Sequence, residues 1–397
     1  MRTTIIGLLV GLFLSTSCSQ ASQEISTVNL DRPDATVDIK LSDILSDIAI
    51  VPLETRDDVL LSGAQVLTVT DKYIIIADEN GLHQFAKTGK YIKRLALNGN
   101  GPNEFLGIRA LLADNQNNIL YYQDIKSSKT LFCLDMDTGV FLPAHAIDVW
   151  NFSIENIDEQ GMIYGFPRST PVRPMPSIDS LTMAYQYNPK ERVVTRFDRS
   201  REFPPRYAFG NTMCYYDQEI FFMYISSDTL YRVEHSLSAP VPEYYMRYAN
   251  KKIDFDSNGN YFRLLYRYKE GFVVQKCYHE IEIEGRGWIE SNQPIGYYLI
   301  DGESRLSLIN SLLIDPLQIS VPVEIDRRGG FPTDIFPFPD TDGRWGYMAM
   351  SAIKMMALID DSLSGDQLSQ EQRRQLESLA VNLNEESNPV LILGKVK

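Results

Sequence analysis

The chain has 397 residues and a formal net charge of −14 at pH 7. This acidity, without any run of five or six basic residues, argues against a nucleic-acid partner, because binding to DNA or RNA depends on a basic surface. Hydrophobic residues make up 44% and charged residues 23% of the chain, which is typical of a globular protein and excludes a disordered one. The 22 Tyr and 18 Phe favour strands, because aromatic side chains fit a pleated sheet.

The N-terminal residues MRTTIIGLLVGLFLSTSC have the layout of a secretory signal. Arg2 supplies the positive charge, Ile5–Leu14 the apolar segment, and Ser15–Ser17 the small residues before cleavage. The apolar segment is too short for a helix that spans a bilayer. Because Cys18 follows directly, the segment resembles a bacterial lipoprotein signal. We predict a signal peptide over 1–17 and lipid attachment at Cys18, which would anchor the protein in a membrane.

The residues after the signal are small and polar, and we predict a lipidated Cys and tether over 18–35. The alternative is an ordinary signal peptide followed by a chance cysteine. Ser19 does not suggest retention in the inner membrane, so we expect an outer-membrane lipoprotein on the periplasmic or surface side. The three other cysteines are an odd number and widely spaced, so we expect buried free thiols rather than disulfides. They are Cys133, Cys214 and Cys277.

From Val37 onward, short apolar segments alternate with turn residues such as Asn80-Gly81 and Thr88-Gly89. This spacing predicts an all-β sandwich, barrel or propeller. The clearest predicted strands are Ile48–Leu53, Gln65–Thr70, Tyr73–Ala77, Leu82–Phe85 and Tyr91–Leu97.

A repeat decides among these folds. The segment Asp71–Asp78, a turn with an apolar strand and a closing Asp, recurs at Asn117–Asp124, and more loosely at Glu159–Gly165 and Gln218–Tyr224. A second turn-bearing element recurs in step, and its copies are Phe85–Tyr91, Leu134–Val140 and Tyr187–Val193. A period of about 43–50 residues with four strands fits one propeller blade per repeat and gives six or seven blades.

The C-terminal region has a different pattern. Tyr347–Ile359 is apolar but contains Lys354 and is short, so we expect a buried strand or helix there. Asp366–Asn384 has apolar residues at helical spacing, and Asn388-Pro389 marks a stop. Val390–Leu393 returns to a strand pattern. We predict a single propeller domain over 36–397 that includes an amphipathic helix over 366–384 and a closing strand.

Three segments carry a family resemblance, and they occur in the expected order. Asn98–Phe105 resembles a Gly-x-Gly-Pro-Gly-Glu-Tyr/Phe turn, with Asn103 at the third Gly, and Asp228–Val233 resembles Asp-Thr-Ile-Tyr-Arg-Ile. Leu383–Leu391 contains an Asn-Pro-Val-Leu ending. These are features of the six-bladed β-propeller lipoproteins of Gram-negative gut bacteria, a family largely of unknown function. The resemblance implies six blades and no established activity or ligand.

The glycine turn Gly99–Gly101 does not predict a phosphate site. It lacks the strand-to-helix context, and Pro102 removes a backbone donor, so we expect a connection between blades. Asp254–Gly259 begins like a calcium loop, but Leu265 stands where the loop needs a Glu. The segment Asp340–Gly343 is typical of a turn and only weakly suggests a metal site.

The histidines also fail to form a recognisable site. None of His83, His145, His235 and His279 has a second His at metal spacing, and the chain has no Gly-x-Ser-x-Gly sequence. We therefore predict no catalytic, cofactor-binding or metal-binding residues. Cys18, as the lipid attachment point, is the only predicted site residue.

The combination of anchor and propeller predicts a membrane-attached module for ligand binding or protein interaction, which could serve glycan or peptide uptake. Its partner would be either an outer-membrane protein or a glycan or peptide ligand. Arginines and aromatic residues in irregular loops could bind such a ligand, but ordinary loop packing and surface pairing are the favoured explanation, and we do not predict them as site residues. They are Arg168, Arg173, Arg201, Arg206, Tyr207, Phe209, Arg327, Arg328 and Phe331. One alternative is a propeller enzyme, a metal-dependent hydrolase, lactonase or lyase, with its site in the central channel. Another is a scaffold without a small ligand. The sequence contains no recognisable catalytic motif. Whether the protein is an enzyme therefore stays open, and we favour a non-enzymatic role.

Overall fold

The structure is a computed structural model. It describes residues 25–61, 66–101, 103–125, 127, 129–147, 152–167, 182–198, 212–223, 229–234, 240–248, 261–269, 271–277, 280–283, 287–290, 294–323, 338–339, 342–366 and 368–397. Among these residues, no helix is both long and apolar enough to cross a membrane.

The described N-terminal part consists of three strands and one short helix. They are β1 (Ser26–Asn29), β2 (Ala35–Lys40), α1 (Leu41–Ile44) and β3 (Leu45–Pro52). The first three blades follow in chain order. Blade 1 consists of β4 (Val66–Val69), β5 (Tyr73–Ala77), β6 (Gly81–Ala86), β7 (Tyr91–Asn98) and the short β8 (Glu104–Phe105). Blade 2 consists of β9 (Ile108–Asp114), β10 (Ile119–Asp124), β11 (Thr130–Asp135) and β12 (Phe141–Ala146). Blade 3 consists of β13 (Phe152–Ile157), β14 (Ile163–Pro167), β15 (Thr182–Asn188) and β16 (Val193–Asp198).

The remaining blades use the rest of the chain. Blade 4 consists of β17 (Thr212–Tyr216), β18 (Glu219–Met223), β19 (Thr229–Glu234) and β20 (Val241–Arg247). Blade 5 consists of β21 (Tyr261–Tyr268), β22 (Gly271–Cys277), β25 (Pro294–Asp301) and β26 (Leu306–Ile314). A further strand, β27 (Ile319–Pro322), pairs with β26, and a hairpin of β23 (Glu280–Ile283) and β24 (Gly287–Glu290) is inserted before β25. Blade 6 consists of β28 (Phe338–Pro339), β29 (Trp345–Met350), β30 (Val390–Val396) and β3.

The described residues therefore form a six-bladed β-propeller, as predicted. The first strands of consecutive blades contact each other from β4 to β28 and surround a central channel. The repeat in the sequence is the second strand of blades 1 to 4, namely β5, β10, β14 and β18, and the second repeated element is the turn before the fourth strand of blades 1 to 3. The repeat predicted the fold because each copy occupies the same position in its blade.

The blades pack through strands that are apolar on both faces. In β5, Ile74 and Ile76 pack with Leu391 of blade 6, whereas Ile75 packs with Leu111 of blade 2. Alternate residues of a strand point to opposite faces of a sheet, so a strand buried between two blades needs apolar residues at consecutive positions. This explains the continuous Tyr-Ile-Ile-Ile-Ala run that the sequence shows.

The N-terminal strands cover the outer edges of three consecutive blades. β1 pairs in parallel with β20 of blade 4, β2 in parallel with β26 of blade 5, and β3 antiparallel with β30 of blade 6. The last blade thus contains strands from both ends of the described chain, which closes the ring.

The tether predicted over 18–35 overlaps β1, so Ser26–Asn29 differ from the prediction: they form an edge strand in which Val28 is fully buried.

The C-terminal region contains two helices, α2 (Ala352–Ser364) and α3 (Gln370–Val381). α3 lies within the predicted helix 366–384 and begins with a capping box at Ser369. The apolar segment 347–359 is divided between β29 and α2, which starts after the N-cap Ser351. The closing strand is β30, so the predicted C-terminal helix and closing strand are confirmed.

Candidate functional site

The turn before β29 reaches across one end of the ring of blades. Its Asp342 is 4% exposed and accepts hydrogen bonds from Asn115 Nδ2 of blade 2 at 2.9 Å and from Arg344 Nε at 2.7 Å. Gly343 has a φ of 69°, and a Cβ there would lie 2.0 Å from the carbonyl oxygen of Tyr215 in blade 4. A turn of blade 6 that touches blades 2 and 4 must reach over the channel. We call Asp71, Asn115 and Asp342–Arg344 the channel-mouth network.

The polar groups of the channel-mouth network bind mostly to each other. Asp71 accepts hydrogen bonds from Arg344 and from the indole Nε1 of Trp345 at 3.3 Å, and its backbone N–H donates to Asn115 Oδ1 at 3.0 Å. Burial raises the pKa of Asp342 despite the opposing charge of Arg344. The network links blades 1, 2 and 6, and its donors and acceptors are used in closing the ring.

A pocket of about 280 Å³ lies between blades 2 and 3. We call it the interblade pocket. Its apolar lining includes Ile119, Tyr121 and Leu142 of blade 2 and Pro189 of blade 3. This volume is just below the range of about 300–1,000 Å³ that is typical of small-molecule sites.

Two cations of the β15–β16 turn line the pocket, Lys190 and Arg192. The Asn188 side chain orders this turn, because its Oδ1 accepts from the backbone N–H groups of Lys190 at 3.0 Å and Glu191 at 3.1 Å. Arg192 adopts a φ of 58°, and its backbone N–H donates to the Asn188 carbonyl at 2.7 Å. The backbone that presents both cations is therefore fixed before any ligand arrives.

His145 and Tyr187 form a hydrogen-bonded pair at the pocket. The Tyr187 hydroxyl lies 2.9 Å from His145 Nδ1. Burial lowers the pKa of His145, and the charge of Arg192 acts in the same direction, so the imidazole is neutral at pH 7. Burial raises the pKa of Tyr187 to about 12, so its hydroxyl keeps its proton. A neutral imidazole can donate or accept a hydrogen bond.

Cys133 also lines the pocket, together with His145. A Cys and a His in one pocket could form a catalytic dyad. Burial raises the pKa of the Cys133 thiol to about 12, whereas a nucleophilic cysteine needs a lowered pKa. Its Sγ contacts the Leu131 carbonyl at 3.7 Å. This thiol therefore has the properties of a buried apolar group, and the arrangement favours binding over nucleophilic chemistry.

Among the described residues that line the pocket, Asp114 is the one carboxylate, and both of its oxygens accept hydrogen bonds. Oδ1 accepts from the backbone N–H groups of Gln116 and Asn117, and Oδ2 accepts from Asn117 Nδ2 at 2.7 Å. Among the described residues, no group of three or more His, Cys, Asp or Glu side chains is arranged to hold a metal ion.

Several residues singled out in the sequence lie outside the described residues. They are Cys18, His235, His279, Asp254–Gly259, Asp340, and the loop residues Arg168, Arg173, Arg201, Arg206, Tyr207, Phe209, Arg327, Arg328 and Phe331.

Other predicted residues can be placed. Gly99 and Gly101 lie in the connection from blade 1 to blade 2, where Glu104 accepts from the backbone N–H of Gly101. His83 is buried in β6 with Nε2 at 3.3 Å from Asp78 Oδ1. Cys133, Cys214 and Cys277 are buried free thiols, as expected.

The sequence did not single out Asn115 or Arg192 as site residues. Both lie in turns that it did locate, and the turn Tyr187–Val193 belongs to a repeated element. No local signal shows that this turn faces His145 across a blade boundary, because the two residues are brought together by the stacking of blades.

Residues 25–395 match a protein-family model described as "Domain of unknown function (DUF4934)". No curated protein matches the chain significantly. Among solved structures, a Bacteroides fragilis protein inferred to be exported matches with a TM-score of 0.60 at 16% identity, over 91% of this chain and 98% of that chain. Similarity at this level of identity supports the fold alone.

Two further structures are less similar. A member of the DUF4221 family from Bacteroides vulgatus has a TM-score of 0.49 at 11% identity, over 89% of this chain and 97% of its own. The virginiamycin B lyase of Staphylococcus aureus has a TM-score of 0.42 at 10% identity, over 88% of this chain and 99% of its own.

Proposed function

This chain belongs to the DUF4934 family, and we propose that it is an exported, lipid-anchored binding protein that holds a small ligand in the interblade pocket. The resemblance to a propeller family of unknown function is thereby confirmed, and the family description names no activity. The observation that carries the proposal is the pocket itself. It combines an apolar floor with a few polar groups on an ordered turn, as small-molecule sites do.

The channel is a weaker candidate for the site than the pocket. A ligand that entered at the channel mouth would have to displace the buried hydrogen bonds of Asp342. Leaving such groups unpaired costs about 1–3 kcal/mol each. The alternative function, an enzyme with its catalytic site in the channel, therefore has less support at this end of the ring than a binding role in the interblade pocket.

Export and anchoring are supported by the sequence, through the signal layout of residues 1–17 and the cysteine at position 18. The structure limits the length of the tether in this proposal, because β1 already belongs to blade 4 at Ser26. Seven residues, 19–25, then separate the lipidated Cys18 from the propeller. Because the pocket is small, a glycan or peptide partner would place only one small terminal group in it.

The pocket is tested by filling it. The full chain, Leu142→Trp and Val140→Trp would be purified from membranes in detergent and screened against a small-molecule library by ligand-observed NMR. Leu142 lines the pocket, whereas Val140 lies nearby with 58% exposure. We expect compounds that bind the unmodified chain and Val140→Trp but not Leu142→Trp. Compounds that bind all three equally, or none that bind, would contradict the proposed site.

The anchor is tested separately. Mass spectrometry of the mature chain should show an N-terminal Cys18 that carries acyl chains, and Cys18→Ala should appear in the soluble fraction rather than in the membranes. A mature N-terminus without lipid would refute the anchor and leave the binding proposal standing.

A further inference from the structure

We infer that the interblade pocket selects ligands with a single carboxylate on a small apolar body. This inference rests on the proposed function, because it specifies what the same pocket binds. The carboxylate would lie against Arg192 and Lys190, and the apolar body against Tyr121 and Leu142.

The first argument is the availability of the two cations. Among the described residues, arginines such as Arg305 and Arg344 form ion pairs with nearby carboxylates, whereas neither Lys190 nor Arg192 forms one. Lys190 and Arg192 lie on either side of Glu191 in the turn, and of these three residues only the two cations line the pocket. A guanidinium binds a carboxylate through parallel charge-assisted hydrogen bonds.

The second argument is the remaining charge of the lining. His145 is neutral at pH 7 because burial lowers its pKa, and Cys133 is protonated. Asp114 is the one carboxylate of the described lining, and it already accepts hydrogen bonds from three donors of its own turn. The pocket therefore presents two positive charges at its rim and one compensated negative charge.

The third argument is size and polarity. A volume of about 280 Å³ admits a ligand with one ring or one short chain. The side chains of Ile119, Leu142 and Pro189 cannot form hydrogen bonds with such a body. The body therefore contributes to the free energy of binding by removing apolar surface from water. A ligand with several charges would leave some of them against this wall without partners.

The test uses three probes with the same aromatic body and different charge: phenylacetate, phenylacetamide and phenethylamine. Their dissociation constants would be measured by NMR titration of the full chain in detergent. We expect phenylacetate to bind about tenfold more tightly than phenylacetamide, and phenethylamine more weakly than both, because a charge-assisted hydrogen bond is about twice as strong as a neutral one.

Two variants locate the effect. Arg192→Gln should reduce the affinity for phenylacetate to near that of phenylacetamide and leave phenylacetamide unchanged. Arg109→Gln makes the same charge change at an exposed residue of β9 outside the pocket, and it should leave all three affinities unchanged. An equal loss in both variants would mean that the effect comes from overall charge and would overturn the inference.

The other outcomes separate this inference from the proposed function. If the three probes bind equally, or phenethylamine binds best, selection for a carboxylate is wrong and the binding function stands. If none of the three binds, the inference is also wrong, and the Leu142→Trp screen decides independently whether the pocket binds any ligand.

Discussion

The channel mouth and the interblade pocket share one turn of blade 2 and use polar groups in opposite ways. From this turn, Asn115 donates to Asp342 in the channel-mouth network, and Asn117 lines the pocket. At the mouth, each carboxylate is bound to donors from other blades. In the pocket, two cations have no carboxylate partner among the described residues. Polar groups that satisfy each other stabilise a ring closure, whereas polar groups with unused capacity can bind a ligand.

The largest expected effect is at the mouth, where Gly343→Ala would place a Cβ within 2.0 Å of the Tyr215 carbonyl oxygen at a φ of 69°. We expect a loss of about 3 kcal/mol in the free energy of unfolding, from backbone strain and overpacking. The control is Gly365→Ala, where the nearest atom would be 3.5 Å away. Urea unfolding of both variants measures the difference. Equal stability of the two would show that the turn does not lie against blade 4.

The next effect concerns the carboxylate of the channel-mouth network. Asp342→Ala removes the acceptor of Asn115 and Arg344 and should cost about 2 kcal/mol in the free energy of unfolding. Asp342→Asn should cost less, because burial already disfavours the ionised carboxylate and raises its pKa. Asp71→Ala, at a side chain that is 57% exposed, should cost at most about 1 kcal/mol. The same unfolding measurement would contradict this order if Asp71→Ala were the most harmful change.

A smaller effect is expected from pH at the pocket. Burial lowers the pKa of His145, so its imidazole gains a proton at a lower pH than an ordinary imidazole does, and this adds a positive charge beside Arg192 and Lys190. The affinity for phenylacetate should therefore rise about threefold as the pH falls from 7 to 5, since a bound anion favours the charged form. His145→Gln should remove this dependence. NMR titrations at several pH values measure it, and a fall in affinity over this range would contradict the model of the pocket.

The smallest effect is expected on stability at the pocket rim. Arg192→Gln and Lys190→Gln remove exposed cations without ion-pair partners among the described residues, and each should change the free energy of unfolding by less than about 0.5 kcal/mol. A larger loss would mean that these cations stabilise the ring in the way that Arg344 does, and the contrast between mouth and pocket would disappear.

The sequence predicted more of the fold than of the site, for a physical reason. The copies Asp71–Asp78 and Asn117–Asp124 became equivalent strands β5 and β10, because a repeated unit that buries both faces needs the same pattern in each copy. The edge strand β1 was missed, because four residues with one buried side chain, Val28, carry little pattern. The pairing of β1 with blade 4 spans more than two hundred residues of sequence, and no local signal encodes it.

The sequence by itself determined the strand repeat, the closing strand and the turn that carries Arg192, since strand and turn preferences depend on neighbouring residues. Only the tertiary structure decided that the N-terminal strands cover the edges of three blades, that Asp342 of blade 6 binds Asn115 of blade 2, and that Arg192 lies beside His145. These contacts join residues that are distant in the chain, and they form when the ring of blades closes.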